Sequence, residues 1–168
     1  MAEKILLKAR VVGIDFADPI TKAEEIATAV WKPQPVTLRD DEVSITEGEP
    51  TESEVFSHEN DAPEDYDLQG SGLSMVGSFI KCNREQLVAL MGGKTFGTGA
   101  AQKYLHSTKK LMLEKAIRLR LKNGGELIIP YAKGSVQLNS NNGADGLVKY
   151  PFRFRSLAQP DFDCDLIM

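Results

Sequence analysis

Between Asp40 and Asp67 the chain carries twelve acidic residues and not one Lys or Arg. Like charges at that density repel one another, so the segment cannot enter a core. It must stay solvated or meet a basic surface. The opposite bias lies downstream, where Lys81 to the last residue holds fourteen basic and seven acidic side chains. Over all 168 residues the two nearly cancel, leaving a net charge of −4. Such mild acidity argues against a protein that grips nucleic acid through its phosphates. Inside the acidic block Val43, Ile45, Val55 and Phe56 are strand formers, and Gly48 to Pro50 is a turn sequence. The expectation is an extended acidic hairpin or loop over residues 40–67. The two charged regions are complementary, so copies of the chain can associate head to tail. The candidate interface residues are Asp40, Asp41, Glu42, Glu47 and Glu49 against Arg118, Arg120, Lys122, Arg153 and Arg155. Contacts of this kind close into rings or run on as filaments.

Length and composition fit one compact domain, residues 1–168, with an ordinary soluble core. No apolar run is long enough for a membrane span, and no membrane partner is expected. Glu3, Lys4, Lys8 and Arg10 interrupt the region where a secretory signal would be apolar, which points to a cytoplasmic site of synthesis. Cys82 and Cys164 are then expected as reduced, partly buried thiols.

Most of the chain reads as β-structure. Residues 4–16 and 73–82 are strand-like, and 116–130 is the clearest case. There Ile117, Leu119 and Leu121 alternate with Arg118, Arg120 and Lys122. Asn123-Gly124 is expected to supply two left-handed positions of a tight hairpin turn. Residues 133–138 read as a further strand. In 147–154, Val148, Tyr150, Phe152 and Phe154 share a face, and Pro151 suggests an edge strand or a bulge. The closing residues CDLIM suit a short terminal strand. Asn83 is a good N-cap for REQLVALM, with Gly92-Gly93 as the stop. A second helix is expected over 21–31, opened by Thr21 and Glu24 at capping-box spacing. Residues 94–114 give no clear pattern.

The motifs that carry chemistry are missing or incomplete. Gly92-Gly93-Lys94-Thr95 looks like the end of a phosphate-binding loop, but Val88 stands where its first glycine belongs, and a helix precedes it. His58 lies among acids in a segment too polar to shift their pKa values by burial. The pattern for a calcium loop is not met, nor is G-x-S-x-G around Ser71 and Ser74. Two histidines and two cysteines without close pairing do not make a zinc site. No catalytic, metal-binding or cofactor-binding residue is assigned, and an enzyme is not expected.

The order of features nevertheless resembles a known family. A strand is followed by the helix at 83–93 ending in Gly-Gly, then by a long irregular passage. KAIRLRLKNGGELIIPYAKGSVQL, a turn-rich stretch and YPFRFRSLAQPDFDCDLIM follow in turn. Over residues 68–168 this resembles the C-terminal half of major tail tube proteins of tailed bacteriophages, which are related to inner-tube proteins of contractile injection systems. The acidic block with VSITEGEP resembles the long hairpin or loop used between stacked rings. The resemblance implies a β-sandwich or barrel-like domain with one flanking α-helix and a long acidic hairpin. It also implies hexameric rings stacked into a hollow tail tube, built in the host cytoplasm and carried in the virion. Its partners would be itself, other tail proteins (terminator, tape measure, baseplate) and DNA only in passing through the lumen. It brings no catalytic residues. Two alternatives stand beside it: a terminator, baseplate or injection-system inner-tube protein of the same fold, and a non-catalytic β-rich module that docks a basic partner through residues 40–67.

Overall fold

The computed structural model describes residues 10–168. The expected strand over 4–16 therefore lies partly outside the described residues. In chain order the strands are β1 (Val11–Ala17), β2 (Lys32–Pro33), β3 (Ser44–Glu47), β4 (Thr51–Val55), β5 (Asp65–Gln69) and β6 (Leu73–Phe79). Helix α1 (Arg84–Met91) follows, then β7 (Lys94–Phe96), β8 (Lys103–Leu105) and β9 (Leu113–Leu121). The last are β10 (Glu126–Val136), β11 (Asn139–Ser140) and β12 (Val148–Ser156). The fold is mainly β with one α-helix, as expected.

The main sheet is antiparallel throughout, in the order β2-β1-β9-β10-β12-β6-β3, with β11 added against β12. Its end strands β2 and β3 do not pair, so it is an open sheet and not a closed barrel. It is strongly curled. Laid flat, β1 would lie three strand spacings from β12 and four from β6, about 14 and 19 Å. Yet the ring of Phe16 on β1 is 5.5 Å from Phe154 on β12 and 6.3 Å from Phe79 on β6, edge-on to both. Only a sheet rolled around its own contents brings these rings together. The concave side holds Ile14, Phe16, Met75, Phe79, Ile117, Leu119, Ile129, Phe152 and Phe154, closed at one end by Leu90 and Met91 of α1.

The β9–β10 hairpin sets the register. Ile117, Leu119 and Leu121 are buried as the alternation requires. The turn differs from expectation, because only Gly124 has positive φ (86°). Gly124 N–H donates to the Leu121 carbonyl and Leu121 N–H to the Gly125 carbonyl, a three-residue loop with one left-handed position. β10 then continues through Pro130, where a chain break between two strands was expected. Ile129 faces Ile117 but Ala132 faces Lys115, so one extra residue bulges at 130–131. A bulge is where a residue without an N–H does not interrupt a ladder. The Pro130 carbonyl accepts from Ile20 N–H instead.

That bond fixes the chain crossing the convex side. Ala17, Ile20, Ala116 and Ile128 form a second, smaller cluster there, flanked by Trp31, Phe162 and Ile167. The helix expected over 21–31 shrinks to one 3₁₀ turn, Ala23–Ile26. Ile26, Ala29 and Trp31 pack instead against the Ile20 cluster, and the chain is extended by Lys32, which pairs beside Phe16 of β1. Thr21 is capped by Glu25, not Glu24. Pro151 also departs from expectation, since β12 is an inner strand between β10 and β6. The residue is tolerated because the pairing with β10 ends beside it. Val136 faces Phe152, Gln137 N–H reaches the Pro151 carbonyl, and pairing resumes past the proline in β11, Asn139 facing Lys149. The terminal CDLIM contributes an isolated bridge, Ile167 to Ile128.

Helix α1 begins as its sequence specifies. The Asn83 side chain accepts from Gln86 N–H, and the Gln86 side chain accepts from Asn83 N–H. Phe154, 1% exposed and wedged between the rings of Phe16 and Phe152, is the test of the rolled core. Phe154→Ala should cost about 3–5 kcal/mol in urea unfolding followed by circular dichroism. A loss below about 1 kcal/mol would contradict this packing.

A projecting acidic hairpin as the candidate interface

The acidic block divides into a folded base and a projecting ribbon. At the base, Val43 and Ile45 pack against the core, and β3 pairs with β6, Ile45 facing Met75. Gly48 to Pro50, a turn sequence, does not close a hairpin. β4 pairs with β5 instead, Thr51 facing Gln69 and Val55 facing Asp65. The two ladders are in phase. Glu47 faces Leu73, and four residues on in each strand Thr51 faces Gln69. One long hairpin therefore leaves the sheet edge, interrupted where Gly48–Pro50 lies opposite Gly70–Gly72. Pro50 has no N–H for the ladder, and only the Gly48 N–H to Gly72 carbonyl bond spans the gap.

Every residue of β4 and β5 is exposed. Five residues at about 3.4 Å each make the ribbon about 17 Å long before its tip. Glu52 and Glu54 stand opposite Leu68 and Tyr66, so these four share one face. Tyr66 and Leu68 are each 52% exposed, although they are apolar enough for a core. At the tip, Glu64 N–H donates to the Val55 carbonyl, while Asn60 Nδ2 and Ser57 Oγ donate to Glu64 Oε1 at 2.6 and 2.8 Å. Those bonds, Asn60 first, hold the Glu64 carboxyl below its ordinary 4.5. A two-stranded ribbon alone in water is marginally stable. Nothing else among the described residues packs on this one.

The structure brings the acidic and basic blocks together at the hairpin's base. Lys149 Nζ lies 2.6 Å from Asp41 Oδ2, which also accepts from Ser78 Oγ at 2.7 Å. The Lys149 bond, then the Ser78 bond, hold the Asp41 carboxyl below its ordinary 3.8. Arg155 donates to the Ser71 carbonyl at 2.7 Å, on the returning strand. Two basic residues of β12 thus tether the ribbon's root within the chain.

The other expected contacts are scattered. Asp40, Glu42, Glu47 and Glu49 are exposed, with no ion pair among the described residues. Arg118 is engaged on the convex face, where its Nε and Nη2 donate to Asp15 Oδ2 at 2.9 and 2.7 Å and its guanidinium lies 4.8 Å above Trp31. Arg120 Nε is 2.9 Å from the same oxygen but not aimed as a hydrogen bond. Asp15 is buried between them. Lys122 and Arg153 are exposed without an ion-pair partner among the described residues. Sequence did not single out Tyr66 and Leu68. The alternation of Tyr66 and Leu68 with Asp65 and Asp67 was the available clue.

No family model matches the chain, and no curated protein matches it. The remaining chemistry is sparse. Among the described residues no group of three or more His, Cys, Asp or Glu is placed to hold a metal ion. No helix there is long and apolar enough to cross a membrane. Both cysteines are free and half-buried, and burial pushes the Cys82 thiol up to about 11, so it is protonated at neutral pH.

The two bonded carboxylates give the hairpin a pH dependence of known sign. A carboxyl whose folded pKa is depressed contributes stability above its unfolded value and loses it as pH falls through the folded one. Asp41 and Glu64 should titrate by NMR with midpoints below 3.8 and 4.5, respectively. The bonds at root and tip should then release on acidification through those midpoints. Midpoints at or above the ordinary values would contradict these contacts.

Proposed function

We propose that this chain is a structural virion protein that self-assembles into stacked rings, hexameric as the family resemblance implies, forming the hollow tail tube for genome delivery. The observation that carries the reading is the β4–β5 ribbon. It projects from the sheet edge, exposes every strand residue on both faces and offers Tyr66 and Leu68 beside seven uncompensated acids over residues 51–69. An element that buries nothing in its own chain gains its stability from a neighbour. The open sheet, curled around its core with one capping helix, also fits the shape the family resemblance implies.

The charge suits passage of DNA. A ring of subunits at −4 each is anionic overall, and duplex DNA carries one negative charge per about 1.7 Å. An acidic or mixed wall lets the duplex slide with its counterions. In this reading the other partners are the terminator, tape measure and baseplate proteins, and the site of action is the virion tail.

Negative-stain electron microscopy of the purified protein tests the reading. Rings or tubes with an open lumen are expected. A chain in which residues 51–69 are replaced by a short Gly-Ser link should keep its circular dichroism spectrum and fail to stack. Wild-type particles that stay single at high concentration yet capture a basic protein would overturn the tail-tube reading in favour of the binding module.

A further inference from the structure

A stretch of the chain without acids begins within α1. From Gln86 to Leu113 the chain has four lysines, Lys94, Lys103, Lys109 and Lys110, and no Asp or Glu. All four are exposed and none is ion-paired among the described residues. Two of them sit on the β7–β8 hairpin, whose register pairs Lys94 with Leu105, Thr95 with Tyr104 and Phe96 with Lys103. Lys94, Phe96, Lys103 and Leu105 therefore share one face. Phe96 is 72% and Leu105 42% exposed.

The opposite face of the hairpin is anchored. Tyr104 packs against the core, and its hydroxyl donates to the Gly92 carbonyl at 2.7 Å. Gly93 permits that approach, because a Cβ there would collide with the Leu105 carbonyl. The outward face is thus held in place without being covered.

We propose that this face receives the ribbon of a second copy, with Lys94 and Lys103 meeting Glu52 and Glu54, and Phe96 and Leu105 meeting Tyr66 and Leu68. Each face is a two-stranded antiparallel surface with two like charges and two exposed apolar side chains, and the charges are opposite. Joining them covers four apolar groups that no contact in their own chain covers and neutralises four charges. The basic strand face beyond β1 is less suited, since Arg118 and Arg120 already share Asp15. The contact is heterologous, ribbon to hairpin, so it propagates from copy to copy. Four side chains on each partner are a small part of a stable interface of roughly 1,200–2,000 Å², and repetition around an assembly multiplies them. The inference rests on the self-assembly reading and names the partner surface of its ribbon.

Two charge-reversed chains test it: Glu52→Lys with Glu54→Lys, and Lys94→Glu with Lys103→Glu. All four positions are exposed, so both chains should fold as wild type by circular dichroism. In sedimentation velocity at low salt each alone should need at least about tenfold more protein to associate. Mixed in equal amounts they should associate again, because the basic ribbon of one then matches the acidic hairpin of the other. Wild-type tubes together with unimpaired tubes from the Lys94→Glu, Lys103→Glu chain would overturn this pairing and leave the tail-tube reading intact. Rescue on mixing without rings or tubes from the wild type would support the pairing and remove the tail-tube reading. A wild-type chain that stays monomeric at its solubility limit would overturn both.

Discussion

The sheet has two surfaces to cover, and its concave side takes most of the buried apolar side chains. Rolling brings Phe16, Phe79, Phe152 and Phe154 from β1, β6 and β12 into one cluster. The convex side is covered only where residues 20–31 and 162–167 cross it. Next to that patch lies Asp15, a buried carboxylate with Arg118 and Arg120 on the same oxygen. A buried ion is tolerable only when well paired, so these arginines belong to the fold before they belong to any interface. At the far edge of the sheet the ribbon stands apart, since neither apolar cluster includes a residue of 51–69.

The ribbon and the β7–β8 hairpin are therefore different kinds of projection. The small hairpin packs one face onto α1 and the core through Tyr104, leaving the other face open. The ribbon packs neither face. Its root is secured by Asp41–Lys149 and by Arg155 on the Ser71 carbonyl. Its tip is closed by Glu64, and the length between depends on the β4–β5 ladder alone. A chain with one anchored and one unsupported hairpin, of opposite charge, is suited to repeat itself.

Where a single physical rule decided the outcome, the sequence was legible. Alternation placed Ile117, Leu119 and Leu121 inward, and the Asn83 cap with the Gly92-Gly93 stop bounded α1. Tertiary pairing overrode local propensity elsewhere. Residues 21–31 favour a helix but keep only a 3₁₀ turn where they pack against the Ile20 cluster, and Pro151 looks like an edge residue until β10 ends beside it. For the candidate interface, charge counting located the acidic hairpin but not the surface proposed here to receive it. That question turned on which cations were already engaged, and Asp15, seen in sequence as one acid in an apolar strand, engages two of the five basic candidates. The lysines of β7 and β8 lay in the segment without a readable period.

The central claim is that the β4–β5 ribbon is completed by another molecule and not by its own chain. Hydrogen exchange read residue by residue measures this most directly, in dilute monomer and in assembled protein. The account predicts rapid exchange over residues 51–69 in the monomer, slow exchange over β9 and β10 in both states, and protection of the ribbon only on assembly. Ribbon amides as protected in the dilute monomer as those of β9 and β10, and unchanged on assembly, would contradict it.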